Sequence, residues 1–375
     1  MKIKMKNSVG IKILIVILIL LIIVAAALLG IKFAKNQKEK QGTIITNEKE
    51  TSNDKDVQVV ETKQVKIYQG TDRPIAVMID NNINALPQAG LNSAYMVYEI
   101  IVEGGETRLM ALFKGVDLDK IGPIRSSKHY FLDYALENDA IYVHFGWSPQ
   151  ARSDMASLNV NNINGINESE SSFRRATDSN HSYLHSVATS TKKILEIAKR
   201  KGYRTTSTKE SVLNYNANEI NLDSRIEATE VTIPYSTSNT VKYIYDTTTK
   251  RYTRYSRGEK QTDWSTGETI TTKNIIITKC KNWALNDGEK KDRQTLKNVT
   301  TLDGYYITNG KAIKIKAVKE SRSGQTVYQD LEGNKIEVND GNTFVQICPI
   351  DSKIEITPGD TTNTTENTIS TNTAD

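Results

Sequence analysis

Residues 13 to 31, ILIVILILLIIVAAALLGI, constrain this chain more than any other stretch. They hold no charge and no strongly polar group, and 19 residues at about 1.5 Å each make a helix of roughly 28 Å, one bilayer core. A cleaved signal peptide would be cut near Ala25–Ala27. The apolar run continues past those alanines and exceeds the usual length of a signal h-region, which favours a retained signal anchor. No cysteine lies nearby, so a lipobox is excluded.

Lys2, Lys4, Lys6 and Lys12 before the span are matched by Lys32, Lys35, Lys38 and Lys40 after it, so positive charge alone barely orients the helix. The free amino terminus, and the ease with which a long C-terminal part is translocated, put the rest of the chain outside the cytoplasm. Those eight lysines also account for much of the basic balance behind the net charge of +5. With the other cations spread along the chain, a nucleic-acid role is not expected.

The expected fold class is α+β: an N-terminal mixed α/β domain followed by an all-β domain, after one transmembrane helix. Residues 1–12 form a short cytoplasmic segment and 13–31 the anchor. Residues 32–70, polar and without apolar periodicity, read as a disordered spacer. Over 71–205, apolar runs (IAVMI, MVYEIIV, RLMALF, AIYVHF) alternate with helical patterns (HYFLDYALEN, VATSTKKILEIAKRKG). Residues 206–227 connect to strand after strand over 228–352, punctuated by Asn309-Gly310, Gly333-Asn334 and Asp340-Gly341, as a small sandwich or meander. Residues 353–375, mostly Thr, Asn, Glu and Asp, form a disordered tail. Cys280 and Cys348 are either two buried thiols or a disulfide between neighbouring strands.

GPIRSSKHYFLDYA, 122–135, reads as a strand giving way to a helix at Arg125 and Ser126. Free N–H groups and the dipole of a helix start favour an anion, and Arg108 on the preceding hairpin can reach the same end of the sheet. Lys128, Glu103 and His144 complete this candidate ligand site. His129, Asp133 and Glu137, spaced i, i+4, i+8, share one helix face, so His129 and Asp133 are candidate ligands for a divalent metal. The same face serves equally as a solvated side. Asp80-Asn81-Asn82 at a strand end reads as an Asx turn, Trp147 as core or rim, and His181 and His185 as structural or pocket-lining. There is no G-x-S-x-G elbow, P-loop or dinucleotide glycine pattern.

RPIAVMIDN at 73, LPQAGLNSAYMVYEIIVEGGETRLMALF at 86, IGPIRSSKHYFLDYA at 121, AIYVHFGWSPQA at 140 and DGNTFVQICPI at 340 together resemble the YerB-like family of bacterial lipoproteins. That two-domain family is of unknown function, and the resemblance covers about residues 71 to 352. It implies an extracytoplasmic protein tethered to the membrane of a Gram-positive type of bacterium. This chain departs from the family pattern in having no lipobox cysteine, and in having Lys128 where a second arginine is usual; lysine is a point charge rather than a bidentate fork. A looser likeness of layout links it to the LytR/CpsA/Psr phosphotransferases, which use polyprenyl-pyrophosphate glycans and a metal ion.

Three functions follow as expectations. The first is a membrane-tethered envelope protein that binds an anionic wall-related ligand, such as a wall precursor, through Arg108, Arg125 and the Ser126 helix start. The second is a phosphotransferase with Mg²⁺ held by carboxylates such as Glu103 or Asp133. The third is a scaffold that binds an envelope protein through its β domain.

Overall fold

A computed structural model describes residues 63–176, 181–289 and 291–359. The expected anchor at 13–31, the spacer up to residue 62 and the tail from 360 lie outside the described residues. Among the described residues no helix is long and apolar enough to cross a membrane.

The longer strands described in the N-terminal part are β1 (Ile75–Asp80), β2 (Met96–Ile101), β3 (Thr107–Phe113), β4 (Ile141–His144) and β5 (Asn162–Asn164). Among the described residues three α-helices accompany them, α1 (Phe131–Glu137), α2 (Pro149–Ser157) and α3 (Thr191–Arg200). After Arg200 the described residues hold strands and no helix: β6 (Glu230–Pro234), β7 (Thr240–Asp246), β8 (Arg251–Ser256), β9 (Asn274–Cys280), β10 (Thr301–Thr308), β11 (Lys311–Val318), β12 (Val327–Gln329), β13 (Thr343–Pro349) and β14 (Glu355–Thr357), with shorter pieces. The α+β content, with a β-rich C-terminal part, is as the sequence implies.

The strands do not divide where the sequence texture changes. One sheet runs β12-β11-β10-β9-β13-β2-β3-β1-β4-β5. Its centre is β13, parallel to β2 on one side and to β9 on the other. The expected small sandwich or meander is therefore corrected in part: five C-terminal strands extend the N-terminal sheet. Others, β8-β7-β6-β14, form a second sheet. By contacts, the described residues fall within one compact unit.

Burial explains why IAVMI, residues 75–79, is a continuous apolar run rather than an alternating one. Ile75, Val77 and Ile79 join the core beneath α3 and the second sheet (Ile194, Val231, Tyr243), while Ala76 and Met78 join the core beneath α1 and α2 (Phe131, Met155). The same alternation decides the cysteines. β9 and β13 are parallel neighbours with Cys280 opposite Pro349, so Cys348 falls one residue out of step and points to the other face. The two thiols lie in opposite cores and are free. Burial pushes Cys280 up to about 12 and Cys348 higher still, so neither is a ready nucleophile.

Two buried charges tie the sheets together. Arg254 on β8 donates through Nη2 to Glu99 Oε2 on β2 at 2.8 Å, and both side chains are fully buried. Glu99 also accepts from Asn81 Nδ2 and Thr107 Oγ1. The Arg254 guanidinium lies 5.3 Å from the Phe344 ring and 5.7 Å from Tyr243.

Candidate functional site

Residues 122–128 are extended, not the opening of a helix. Asp80 N donates to Pro123 O and Arg125 N to Met78 O, so the segment runs antiparallel beside the end of β1. Ser127 N then donates to Gly146 O, and Ser148 N to Ser127 O. Helix α1 begins only at Phe131, its N-cap Tyr130 makes no side-chain cap, and it is 7 residues long. The expected anion seat at a Ser126 helix start is thereby overturned: backbone pairing with β1 and with the Gly146–Trp147 turn consumes the groups that a helix start would have left open.

The side chains named from the sequence do converge, but mostly on one another. Asp80 and Arg108 are directly opposite in the β1–β3 register. Arg108 is buried and donates through Nη1 to Ser126 O at 2.7 Å and Ser126 Oγ at 3.1 Å, while its Nε has no hydrogen-bond partner among the described residues. Arg125 Nε lies 3.2 Å from Asp80 Oδ2, and its Nη1 donates to Leu184 O. His185 Nδ1 sits 2.8 Å from the same Asp80 oxygen, a partner that the sequence reading missed. Asn82 N donates to Asp80 Oδ1, which closes the expected Asx turn.

Lys128 is buried and paired with Glu103. Burial, then the nearby Arg108 charge, holds the Lys128 ammonium below the usual lysine range. Burial raises Glu103, but Lys128 more than offsets that and leaves it below the usual carboxylate range. His144 stands apart from the cations: it is fully buried, with Nδ1 2.8 Å from Gly146 O and Nε2 3.2 Å from Asn162 Oδ1, and burial lowers its pKa.

The proposed metal face proves to be a buried ion-pair face. Asp133 accepts from Arg322 Nε at 2.6 Å and Asn298 Nδ2 at 2.9 Å. Glu137 accepts from Lys319 Nζ, Thr326 N and Thr326 Oγ1. His129 meets Thr295 Oγ1 at 2.8 Å, and burial lowers it to about 4. Among the described residues no three His, Cys, Asp or Glu groups gather to hold a metal. His129 and Asp133 fail as metal candidates because protein donors and cations already surround them. Glu103, paired with Lys128, is equally committed.

A second region has the opposite character. Beyond the 183–185 turn lies a cleft of about 430 Å³ whose lining includes Lys120, Arg174, Arg175, Lys193 and Trp264, with Asp119 its one carboxylate among the described residues. Ser171, Ser172, Thr189 and Ser190 bring hydroxyls to it. Among the described residues none of the four cations has a carboxylate partner. Arg175 instead lies 4.1 Å over the Tyr183 ring, Lys120 lies 4.2 Å over the Trp264 ring, and Lys193 donates to Ser171 O. The cleft is built where β-bridged Arg174–Arg175 and Val187–Ala188 lead into α3, whose N-cap Ser190 accepts from Lys193 N. The SSFRR run was visible in the sequence; its assembly with Lys120 and Trp264 was not.

A mixed sheet closed by a second β layer, with a polar cleft beside one helix, defines a class of fold rather than a reaction. Comparison with known proteins places it further. Residues 62–204 match the N-terminal domain, and 231–345 the C-terminal domain, of the family described as "Protein of unknown function (DUF3048)". The chain is 33% identical over 289 residues to "Putative lipoprotein YerB" of Bacillus subtilis (strain 168), covering 76% of this chain and 81% of that protein. The crystal structure of the YerB protein from Bacillus subtilis superposes with a TM-score of 0.67 at 29% identity, over 76% of this chain and 94% of that one. The chain belongs to the YerB-like family, with DUF3048 N- and C-terminal domains.

Proposed function

We propose that this is a membrane-tethered, extracytoplasmic envelope protein that binds an anionic ligand of the wall, one bearing phosphate or carboxylate, in the cleft between Arg174, Lys193 and Trp264. The observation behind this reading is the unbalanced charge of that cleft: among the described residues four cations face one carboxylate, and none of the four is ion-paired. Cations left unpaired at a concave surface attract a counter-charge, and guanidinium donors match phosphate or carboxylate oxygens. The hydroxyls and the Trp264 ring suit the polar edges and flat face of an attached sugar. The envelope side follows from the apolar span at 13–31 together with the lipoprotein name of the relative.

The reading departs from the Arg108–Arg125 seat because Arg125 is already paired with Asp80, and Arg108 is buried and bonded to Ser126. The test is calorimetry on the full-length chain in detergent with inorganic pyrophosphate and N-acetylglucosamine 1-phosphate. The expected result is saturable binding that weakens as salt rises, drops at least about tenfold in the Arg174→Glu/Lys193→Glu double variant, and persists in Arg125→Ala. Equal affinity in the wild type and the double variant sinks the proposal.

A further inference from the structure

The outer end of the large sheet carries another cleft whose chemistry differs from that of the basic one. β5 is the last strand of the sheet, and the stretch NVNNINGIN at 159–167 runs through it. A cleft of about 460 Å³ there is lined by Trp147 and by five asparagines, Asn159, Asn161, Asn162, Asn164 and Asn167. Among the described residues its only charged lining groups are Arg152 and Lys201. A further cleft, of about 670 Å³, opens against Trp147 and Arg152 as well, so the indole stands where the two meet.

Local backbone needs explain only part of this amide cluster. Asn164 Oδ1 accepts from Gly146 N and Ile166 N and so caps the turn after β5. Asn161 Oδ1 accepts from Arg73 Nη1, and Asn162 Nδ2 donates to Val160 O. The Nδ2 groups of Asn161 and Asn164 make no hydrogen bond among the described residues, although Asn164 is only 5% exposed. Asn159 and Asn167 are exposed, and their amides are likewise uncommitted among the described residues. The oxygens of Asn161 and Asn164 are thus engaged within the protein, and the Nδ2 donors of Asn159, Asn161, Asn164 and Asn167 are left uncommitted among the described residues. Trp147 is held in place beneath them: its backbone bridges to Ser127, the His144 ring lies 5.6 Å from the indole, and the Arg152 guanidinium lies 5.5 Å from it.

A flat indole beside several uncharged amides matches one ligand chemistry above others, a neutral sugar ring. Pyranose C–H faces stack on indole, and hydroxyls both donate to and accept from amides. An anion would find only two cations here, one of them lying over the indole. We infer that the Trp147–asparagine cleft is a neutral saccharide subsite, separate from the basic cleft and independent of the anion reading.

The test is calorimetric titration of the full-length chain in detergent with two neutral oligosaccharides, chitotriose and maltotriose. At least one should bind saturably at roughly millimolar or better, with affinity falling about tenfold in Trp147→Ala and about threefold in Asn167→Ala. The Arg174→Glu/Lys193→Glu variant should bind it as the wild type does. If Trp147→Ala does not fold, Asn167→Ala and Trp147→Phe decide, since the first changes only an exposed side chain. No heat from either sugar up to about 10 mM overturns the subsite. So does unchanged affinity in the Trp147 and Asn167 variants. Loss of sugar binding in the Arg174/Lys193 variant would move the sugar to the basic cleft and overturns it too, whereas failure of anion binding alone leaves it standing.

Discussion

The segment 122–128 and the cleft around Arg174 both gather cations, yet the fold uses them in opposite ways. Around Arg125 each charge meets a partner: Asp80 takes Arg125 and His185, Glu103 takes Lys128, and Ser126 takes Arg108. In the cleft around Arg174, Arg175 and Lys120 lie over aromatic rings and Lys193 donates to a backbone oxygen, and none of the four cations pairs with a carboxylate among the described residues. Charges consumed by the structure stabilise it, and charges left unpaired are available to a ligand. A count of arginines in the sequence does not separate the two cases.

The sharpest way to test that contrast is to remove a carboxylate from the paired, buried class. Glu99→Ala strands Arg254 in the core between the two sheets, where it already has Nε and Nη1 without partners. The expected loss is about 3–5 kcal/mol in denaturant unfolding. A loss below about 1 kcal/mol would mean that the core rehydrates Arg254 freely and that the pair is not structural.

A pH titration of stability comes next. His129 is lowered to about 4 by burial from an ordinary value of 6.5. The unfolded chain therefore binds the proton first, so the contribution is fully present above pH 6.5 and is lost as pH falls toward 4. Two and a half pKa units bound the effect at about 3 kcal/mol, and partial solvation lowers it. Asp133, raised by burial against the pull of Arg322, gives the opposite slope just above its ordinary 3.8. His129→Gln should flatten the curve between pH 6.5 and 4, as followed by melting temperature; an unchanged slope would show that other groups govern this window.

Asp80→Ala should cost about 1–2 kcal/mol, because it removes the turn acceptor and the shared partner of Arg125 and His185, both of which can turn to water. Ser126→Ala should cost less than about 1 kcal/mol, the loss of one hydrogen bond to Arg108 rather than of a helix cap. Smallest of all, Arg174→Glu/Lys193→Glu should shift stability by no more than about 0.5 kcal/mol. A large destabilisation there would place the cleft cations in the structural class and erase the contrast.

Several elements were legible because their residues respond to local pattern. β1, β2 and β3 are mainly apolar strands buried on both faces, and α3 is amphipathic with Ile194, Ile197 and Ala198 inward. The start of α1 was misplaced because Ser126 and Ser127 look like caps, and only the end of β1 and the Gly146–Trp147 turn reveal that their backbone is already paired. Asp133 and Glu137 share a helix face as their spacing requires. Spacing could not show that Lys319 and Arg322, far along the chain, would cover that face.

The sequence by itself determined the apolar span, the α/β-then-β order of elements and the family. These depend on composition, on periods of two and 3.6 residues, and on short-range motif order. Only the tertiary structure decided that one sheet joins both halves, that Cys280 and Cys348 face opposite cores, and which cations are paired. Each of those depends on distances between residues remote in the chain: Asp80 from His185, Glu99 from Arg254, Lys120 from Trp264. Electrostatic energy and burial are set by separation in space, and that separation exists only once the sheet has formed.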